Sequence, residues 1–249
     1  MLKISIVTCS YNQAEFIRQN IESVLNQNYP NFEHLIIDGG STDGTIEILK
    51  EYPHLNWVSE PDRGQSDALN KGFRKASGDI IAWINSDDML APNALFNINN
   101  FFEHNPDKSV LIGNQVLIDR KGNILKVIPS EAFTFNSLLN TRHCSVMQNS
   151  TLIRRAVLNE VGLLDENFHY TMDLELFVRI AQKYTAYTIN QDLAYFRMWD
   201  GSKTGSSQLQ FYKEIVKVKK KYHAKLISSG NIWLLWQFMK APLKRILRR

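Results

Sequence analysis

Short apolar runs alternate with helix-like segments through the first half of this 249-residue chain. The strand candidates are Lys3–Cys9, His34–Asp38, Asn56–Ser59 and Asp79–Ile84. Between them, apolar residues recur at helical spacing, as at Ile17, Ile21 and Val24. Strands that alternate with helices predict a mostly parallel sheet with helices on both faces. Residues 1–115 are therefore predicted to form an α/β layer structure of the nucleotide-binding type.

The alternation changes in the second half of the chain. Val110–Ile118 and Ile124–Ile128 flank a turn-rich connection and predict a β-hairpin, and Gln148–Ile153 is a further strand candidate. No linker rich in Gly, Ser or Pro separates the halves. We therefore predict one domain over residues 1–207, with its acceptor-side half at 116–207, followed by a helical extension over residues 208–249.

The two cysteines, Cys9 and Cys144, are far apart and have no metal-binding spacing. They predict neither a disulfide framework nor a zinc site, and a reducing compartment fits. The N-terminal apolar run contains Ser and Thr and no cleavage pattern, which is typical of a first strand and not of a signal peptide. No uninterrupted apolar stretch reaches the ~20 residues of a membrane-spanning helix. A cytoplasmic location is expected.

A polar loop follows each of the four strand candidates in the first half. The loops are Thr8–Asn12, Asp38–Gly44, Glu60–Gly64 and Asn85–Asp88. The carboxyl ends of parallel strands meet at one edge of the sheet, where open α/β sheets bind ligands. Each loop alone is equally well explained as a turn or a helix cap. Several carboxylates at one edge favour a divalent cation, because Mg²⁺ and Mn²⁺ combine carboxylates with substrate phosphate oxygens.

Taken in order, these loops resemble those of family 2 glycosyltransferases. The matching motifs are SIVTCSYN, IIDGGSTDGT, EPDRGQSDALNKG and INSDD, and the resemblance covers residues 1–205. It is closest to members that build bacterial surface polysaccharides such as O-antigen. The resemblance implies the GT-A fold, a Rossmann-like mixed and mostly parallel sheet flanked by helices. It also implies an inverting, metal-dependent hexosyltransferase that moves a sugar from a nucleoside-diphosphate sugar, with UDP expected, to a glycan or lipid-linked glycan.

The resemblance implies roles for individual residues as well. The implied donor-binding residues are Thr8, Ser10, Tyr11, Asn12, Asp38, Arg63, Asp67, Lys71, Ser86, Asp87, Arg197 and Lys203. Asp38 is implied to accept a hydrogen bond from the base. Asp67 and Lys71 lie four residues apart on a predicted helix and are equally explained as a surface ion pair. Arg197 and Lys203 belong to a segment, Arg197–Gly205, that is similar to a mobile loop closing over the donor diphosphate.

The acidic motif of the family is implied to hold Mn²⁺ or Mg²⁺ through Asp87 and Asp88 jointly. Asn85 stands where the first Asp usually occurs; its amide keeps one acceptor oxygen and loses the charge. Asp173 falls on the position of the catalytic base, although Met172 replaces the usual leading Glu. The alternative explanation for Asp173 is an acid that favours a helix N-terminus.

Two further expectations concern the second half of the chain. Glu175 and Arg179, four residues apart, are expected to pair on one helix. His143, Gln148 and Asn149 are candidates for facing the acceptor, and a polar strand start explains them equally.

The chain ends in a segment that is aromatic, aliphatic and basic. On a helical wheel of residues 231–249, Ile232 and Trp236 share an apolar face with later aliphatic residues, and the Lys and Arg residues lie away from it. This pattern suits an interfacial helix on an anionic bilayer. We predict peripheral contact with the inner face of the cytoplasmic membrane; a helix packed on the domain is the alternative. No recognition motif accompanies the Lys217–Lys221 run, so nucleic acid is not an expected partner.

Two other functions fit the same residues. A nucleotidyltransferase can share this type of sheet and a metal ion, but it attacks a nucleotide α-phosphate and releases pyrophosphate. A non-catalytic, membrane-associated subunit with a nucleotide-binding fold is the second alternative, because Asn85 and Met172 both replace acids that are common in the family.

Overall fold

The computed structural model describes residues 1–141, 146–203 and 208–246. The strands in these ranges are β1 (Ile4–Ser10), β2 (Phe32–Asp38), β3 (Asn56–Ser59), β4 (Ile80–Trp83), β5 (Met89–Leu90), β6 (Val110–Ile118), β7 (Ile124–Ile128), β8 (Thr151–Arg154) and β9 (Ala186–Arg197). The helices are α1 (Ile17–Leu25), α2 (Thr45–Lys50), α3 (Gln65–Lys75), α4 (Ala94–His104), α5 (Phe135–Asn140), α6 (Arg155–Val161), α7 (Met172–Ala181), α8 (Gln208–Lys221) and α9 (Ser229–Ile246).

These strands form one mixed sheet in the order β3-β2-β1-β4-β8-β6-β9-β5, with β7 paired to β6. The strands β1 to β4 are parallel, β8 runs antiparallel between β4 and β6, and β9 is parallel to β6. Ser10 pairs with Asp38, and Asp38 pairs with Ser59. The loops after β1, β2 and β3 therefore open at one edge of the sheet. The predicted mixed, mostly parallel α/β sheet is confirmed.

The strands β1 and β4 are buried along their whole length, which explains why they were predictable as continuous apolar runs. Every residue of β1 is buried. On one face, α3 packs against β1 and β2, and Gly72 of α3 allows the close approach because a Cβ there would clash with the Val7 side chain. The burial of β1 therefore accounts for its apolar sequence, and the lack of a Cβ atom in Gly72 accounts for the close packing of α3 on it.

The strand β9 was not predicted from the sequence. Asn190, Gln191 and Asp192 interrupt its apolar alternation, and its pairing with β6 shifts register on both sides of Asn114. The Asn114 Nδ2 atom donates to Asn190 Oδ1 at 3.0 Å and to Asp192 Oδ1 at 3.1 Å. The polar residues find partners across this irregularity, so the strand needs no regular apolar pattern.

The predicted strand over Gln148–Ile153 is only partly correct. Gln148–Ser150 forms a 3₁₀ turn, and the strand β8 begins at Thr151. The Thr151 hydroxyl donates to the carbonyl of Met147 at 2.7 Å and so closes the turn before the strand. This side-chain bond competes with an extended backbone over the same residues.

The C-terminal extension packs on α7 through a buried carboxylate. Glu175 has no exposed surface, and it accepts hydrogen bonds from Arg179 Nη2 at 2.8 Å, Lys221 Nζ at 2.7 Å and Tyr222 Oη at 2.6 Å. The predicted pairing of Glu175 with Arg179 is confirmed. In α8, Val218 is also completely buried. The helix α8 is thus part of the folded body next to α7.

Replacing Glu175 with alanine is expected to destabilise the protein by about 1.5–3 kcal/mol, because hydrogen bonds to a buried carboxylate are lost while Lys221 keeps its ion pair with Asp165. Glu160→Ala is the matched control: its salt bridge to Lys183 at 2.8 Å is half-exposed and worth about 0–1 kcal/mol. Urea unfolding of the two variants measures the difference. Equal losses in the free energy of unfolding would mean that the hydrogen bonds of Glu175 do not stabilise the packing of the C-terminal extension on α7.

The described helices include none that is both long and apolar enough to cross a membrane.

Candidate active site

A cleft of about 940 Å³ lies at the carboxyl ends of the parallel strands. On one side it is bounded by the strand-end loops, and on the other by the start of α7, the segment after β9 and the helices α8 and α9. The predicted site residues that line it are Ser10, Tyr11, Ser86, Asp87, Asp173, Arg197 and Lys203. The structure therefore brings residues from both halves of the chain to one cavity.

The floor of the cleft contains buried polar atoms that no described residue satisfies. Ser10 is 4% exposed, and its Oγ has no hydrogen-bond partner among the described residues. Gln13 also lines the cleft, and its Oε1 atom likewise has no hydrogen-bond partner among the described residues. Buried polar groups are nearly always paired, and these two belong to residues that line the cleft. Gln13 was not predicted from the sequence, since a lone Gln at a helix start has no distinctive pattern.

Thr8 lies inside the sheet and not on the cleft surface. Its Oγ1 is 3.1 Å from His34 Nε2, and both residues are fully buried. Burial, with a smaller effect from His54, lowers the pKa of His34 to about 3, so this imidazole is neutral near pH 7. The pair supports the sheet beneath the cleft.

Asp38 organises the loop that follows β2. Its buried carboxylate accepts hydrogen bonds from Gly40 N at 3.0 Å, Ser41 N at 2.8 Å, Ser41 Oγ at 2.5 Å and Ser59 Oγ at 2.7 Å. Asn12 then joins this loop to the loop after β1, because its N–H donates to Ser41 Oγ at 2.7 Å. The carboxylate therefore fixes two of the strand-end loops relative to each other.

Arg63, Asp67 and Lys71 form a network of ion pairs outside the cleft lining. Arg63 Nη2 lies 3.1 Å from Asp67 and 2.9 Å from Glu166. Lys71 Nζ lies 2.8 Å from Glu60 and 3.6 Å from Asp67. Surface ion pairing, the alternative explanation for Asp67 and Lys71, accounts for these contacts.

Asn85 is the centre of a hydrogen-bond network below the acidic motif. Its Oδ1 accepts from Gln65 Nε2 and Trp83 Nε1, each at 3.0 Å, and its Nδ2 donates to Gln148 Oε1 at 3.2 Å and Asp88 Oδ2 at 3.4 Å. A carboxylate at position 85 would place a second negative charge against Asp88. The amide removes that repulsion, which explains the departure from the usual acidic residue.

Asp88 is buried, whereas Asp87 faces the cleft. Asp88 is 1% exposed, its Oδ1 accepts from Arg197 N at 2.9 Å, and burial together with the charge of Asp87 raises its pKa well above the usual range. Asp87 is half-buried, and its Oδ2 accepts from Trp199 Nε1 at 2.9 Å. The two adjacent carboxylates thus have different environments.

The donor set fits a divalent cation that is completed by a substrate. In the described parts of the chain, no group of three or more His, Cys, Asp or Glu residues converges on one point. Mg²⁺ and Mn²⁺ are often held by one or two carboxylates, with substrate phosphates and water as the other ligands. Asp87 supplies a carboxylate of this kind at the cleft surface.

The Arg197 guanidinium is used within the protein. It is 1% exposed and donates to Asp87 O at 2.8 Å, Arg120 O at 2.9 Å and Gln19 Oε1 at 2.7 Å. Arg197 therefore ties the end of β9 to the backbone of the acidic motif. Of the two basic residues predicted for the diphosphate, Lys203 is the one placed beside Asp173.

The Lys203 Nζ atom donates to Gln65 Oε1 at 3.0 Å, and burial lowers the pKa of Lys203. Thr204 and Gly205, which complete the predicted mobile segment, lie outside the described residues, as does His143. Gln148 and Asn149, the other acceptor candidates, line the cleft.

Asp173 lies at the start of α7 and has a raised pKa. It is the second residue of α7, is half-buried in the cleft lining, and accepts a hydrogen bond from Leu174 N at 2.8 Å. Burial raises its pKa to about 6, and the positive charge of Lys203 opposes the rise. A carboxylate with a pKa near the working pH is well suited to accept a proton from a hydroxyl.

Comparisons with known proteins identify the family of this chain. The family model described as "Glycosyl transferase family 2" matches residues 5–162. A putative teichuronic acid biosynthesis glycosyltransferase of Bacillus subtilis, TuaG, is 27% identical over 207 residues, which cover 80% of this chain and 80% of that relative.

Two solved structures share the fold. TarS of S. aureus (residues 1–349, in complex with UDP-GlcNAc) superposes with a TM-score of 0.70 at 19% identity, covering 96% of this chain and 72% of that chain. The mannosyltransferase PcManGT from Pyrobaculum calidifontis, in complex with GDP-Man and Mn²⁺, superposes with a TM-score of 0.67 at 19% identity, covering 94% and 68%. These likenesses confirm the predicted GT-A fold.

Proposed function

The chain belongs to glycosyl transferase family 2, and from this premise we propose that it moves a sugar from a nucleoside-diphosphate sugar to a hydroxyl group with inversion. The observation that carries the proposal is that one cleft contains Asp173 on the α7 side and Asp87 at the end of β4. In this proposal, one half of the chain supplies the base for the acceptor. The other half supplies the carboxylate for a metal ion that would bind the donor diphosphate.

In the proposed reaction, Asp173 takes the proton of the acceptor hydroxyl as the oxygen attacks the anomeric carbon. The bond from that carbon to the diphosphate oxygen breaks, and the electron pair leaves with the nucleoside diphosphate. Mn²⁺ or Mg²⁺ bound at Asp87 would offset the charge that builds on this leaving group. Asp88 supports the site from below through Arg197.

The donor is proposed to lie against the loops after β1 and β2. Ser10 and Gln13 offer buried polar atoms without described partners, and Asp38 fixes the Gly40 and Ser41 amides next to them. Lys203 is proposed to face the donor diphosphate. UDP is the proposed nucleotide, and a hexose the proposed sugar; TarS carries UDP-GlcNAc in the same fold, and PcManGT carries GDP-Man, so GDP is the competing nucleotide.

The acceptor is proposed to be a glycan or lipid-linked glycan of a bacterial surface polysaccharide. The far end of the cleft is apolar, lined by Phe211, Ile215, Trp233 and Leu234. On the outer face of α9, Ile232 and Leu235 are each 64% exposed. An exposed apolar face beside an apolar cleft end supports the proposed membrane contact through residues 231–249, at the inner face of the cytoplasmic membrane.

A nucleotide screen tests the donor class. UDP with Mn²⁺ is expected to stabilise the protein by about 2.7 kcal/mol at a concentration of about 100 Kd, which raises the Tm by roughly 5–10 °C. GDP and dTDP with Mn²⁺ are the comparisons, and UDP with a chelator is the control. Equal or no stabilisation by all three would reject the UDP assignment.

The products separate the alternatives. A glycosyltransferase releases nucleoside diphosphate from a nucleotide sugar that contains the nucleotide selected by the screen. Pyrophosphate release would instead identify a nucleotidyltransferase. Slow metal-dependent hydrolysis of the nucleotide sugar without acceptor would argue against a non-catalytic subunit.

A further inference from the structure

The turn that leads into α7 is held by a carboxylate from the C-terminal extension. Glu214 of α8 is 8% exposed and accepts hydrogen bonds from the backbone N–H groups of His169, Tyr170 and Thr171 at 3.1, 2.7 and 3.0 Å. Thr171 Oγ1 donates a further bond at 3.3 Å. Three successive N–H groups that face one anion form a nest, and Glu214 is the anion in this nest.

This turn determines where the proposed base lies. Thr171 is the N-cap residue of α7, its own side chain does not cap the helix, and Asp173 follows two residues later. The Asp173 carboxylate accepts from Leu174 N of the same helical turn, so its orientation follows that of the helix start. A displacement of about 1 Å in a reacting group can reduce a rate by about 10²-fold.

We propose that Glu214 is a positioning residue that fixes the turn over residues 169–171 and thereby places the Asp173 carboxylate at the acceptor hydroxyl. The inference rests on the proposed function, in which Asp173 is the base. Glu214 contacts neither substrate in this arrangement and acts through the backbone. With this role, Glu214 makes the predicted C-terminal extension, residues 208–249, part of the machinery that supports the active site.

The charge of Glu214 gives the proposal a second, separable consequence. The groups that affect the pKa of Asp173 are Lys203 from the segment after β9, Glu214 from α8 and the Leu174 amide of α7. Burial is the main cause of the raised pKa of Asp173, and the Glu214 charge adds to the rise. Removing that charge while keeping the shape should lower the pKa of Asp173.

The helix α8 has an independent attachment to α7, which provides a matched control. Tyr222 Oη donates to the buried Glu175 at 2.6 Å, away from the turn that Glu214 holds. Tyr222→Phe removes one hydrogen bond between the same two parts of the chain without touching residues 169–171. It should lower stability without changing the rate of transfer.

The experiment compares Glu214→Ala, Glu214→Gln and Tyr222→Phe in the full chain. The readout is release of nucleoside diphosphate from UDP-GlcNAc, or from GDP-Man if the nucleotide screen selects GDP, with kcat and KM measured from pH 5 to pH 8. Glu214→Ala is expected to lower kcat by about 10- to 100-fold with a donor KM within about twofold of wild type. Glu214→Gln keeps an acceptor oxygen for the nest, so it should recover most of that loss.

The pH profile and a double variant complete the test. Because Asp173 must be ionised to act, kcat falls as pH drops below its pKa, and in Glu214→Gln this fall should occur at lower pH than in wild type. In an Asp173→Asn background, Glu214→Ala should cause little additional loss, because the group it positions is absent.

Specific outcomes overturn the proposal. The proposal is wrong if Glu214→Ala has a wild-type kcat, or if the pH profile of Glu214→Gln is not shifted. It is also wrong if Tyr222→Phe loses as much rate as Glu214→Ala. If Glu214→Ala does not fold, the Glu214→Gln profile decides alone. Failure of the proposed function is distinguishable, because Asp173→Asn would then leave nucleoside diphosphate release unchanged.

Discussion

Asp173→Asn is expected to reduce sugar transfer by about 10²- to 10⁴-fold, the range in which a positioned base accelerates proton transfer. Asparagine has nearly the same shape and can still accept from Leu174 N, but it cannot take a proton from the acceptor. Nucleotide binding should stay within about twofold of wild type, because in the proposed mechanism Asp173 contacts the acceptor hydroxyl and not the nucleotide. Calorimetry with UDP and Mn²⁺ measures this separately from the rate.

The pH dependence of transfer gives a second measurement of the same residue. The pKa of Asp173 is raised to about 6, mainly by burial. The carboxylate must be ionised to accept a proton, so kcat is expected to be highest above pH 6 and to fall about tenfold per pH unit well below it. A rate that rises on acidification would mean that the essential group acts as an acid.

Asp107→Asn is the matched control for the loss of one carboxylate. Asp107 lies on an exposed turn between α4 and β6, outside the cleft lining. This variant should transfer sugar at the wild-type rate. If Asp173→Asn retains transfer to a verified acceptor, Asp173 is not the base.

The sheet and its ligand-binding edge were predictable because their signals are local. Buried parallel strands such as β1 consist of continuous apolar residues, and the polar residues that follow them must lie at the strand ends. The same reasoning located Asp87, which lines the cleft. Asp173 was located through the family motif and not through periodicity.

The contacts that organise the site were not predictable, because they join residues far apart in the sequence. Glu214 holds a turn 43 residues earlier through backbone N–H groups, which leave no trace in the sequence. The strand β9 is interrupted by polar residues whose partners lie across a bulge in β6. Arg197 carries a charge typical of a phosphate contact, yet its donors are satisfied by backbone carbonyls and Gln19.

Asn85 shows how a departure from a family motif can be explained by its surroundings. From the sequence, the missing charge left the metal ion to Asp87 and Asp88 jointly and kept a non-catalytic function open. In the structure, the amide donates to Asp88 and Gln148 while accepting from Gln65 and Trp83. A carboxylate has no proton for the first two bonds. The substitution therefore supports the buried network and leaves Asp87 as the carboxylate at the cleft surface.

This division of roles predicts different effects for the two adjacent acids. Asp87→Asn is expected to weaken Mn²⁺-dependent binding of the nucleoside diphosphate by about 10- to 100-fold, a loss of the size found when even the groups that support metal ligands are removed. Asp88→Asn should change this affinity only a few-fold, because its amide oxygen can still accept from Arg197 N and its side chain is buried. Titration calorimetry with and without Mn²⁺ measures both.

Asp62→Asn is the control for a lost negative charge in the same cleft. Asp62 lines the cleft, and its Oδ1 accepts from Gly64 N at 2.7 Å, a bond that an amide oxygen can keep. Its effect on Mn²⁺-dependent affinity should be within about twofold. If Asp88→Asn abolishes the metal dependence and Asp87→Asn does not, the ion is bound by the buried acid. That result would require the buried Asp88 carboxylate to become accessible to the ion when the donor binds.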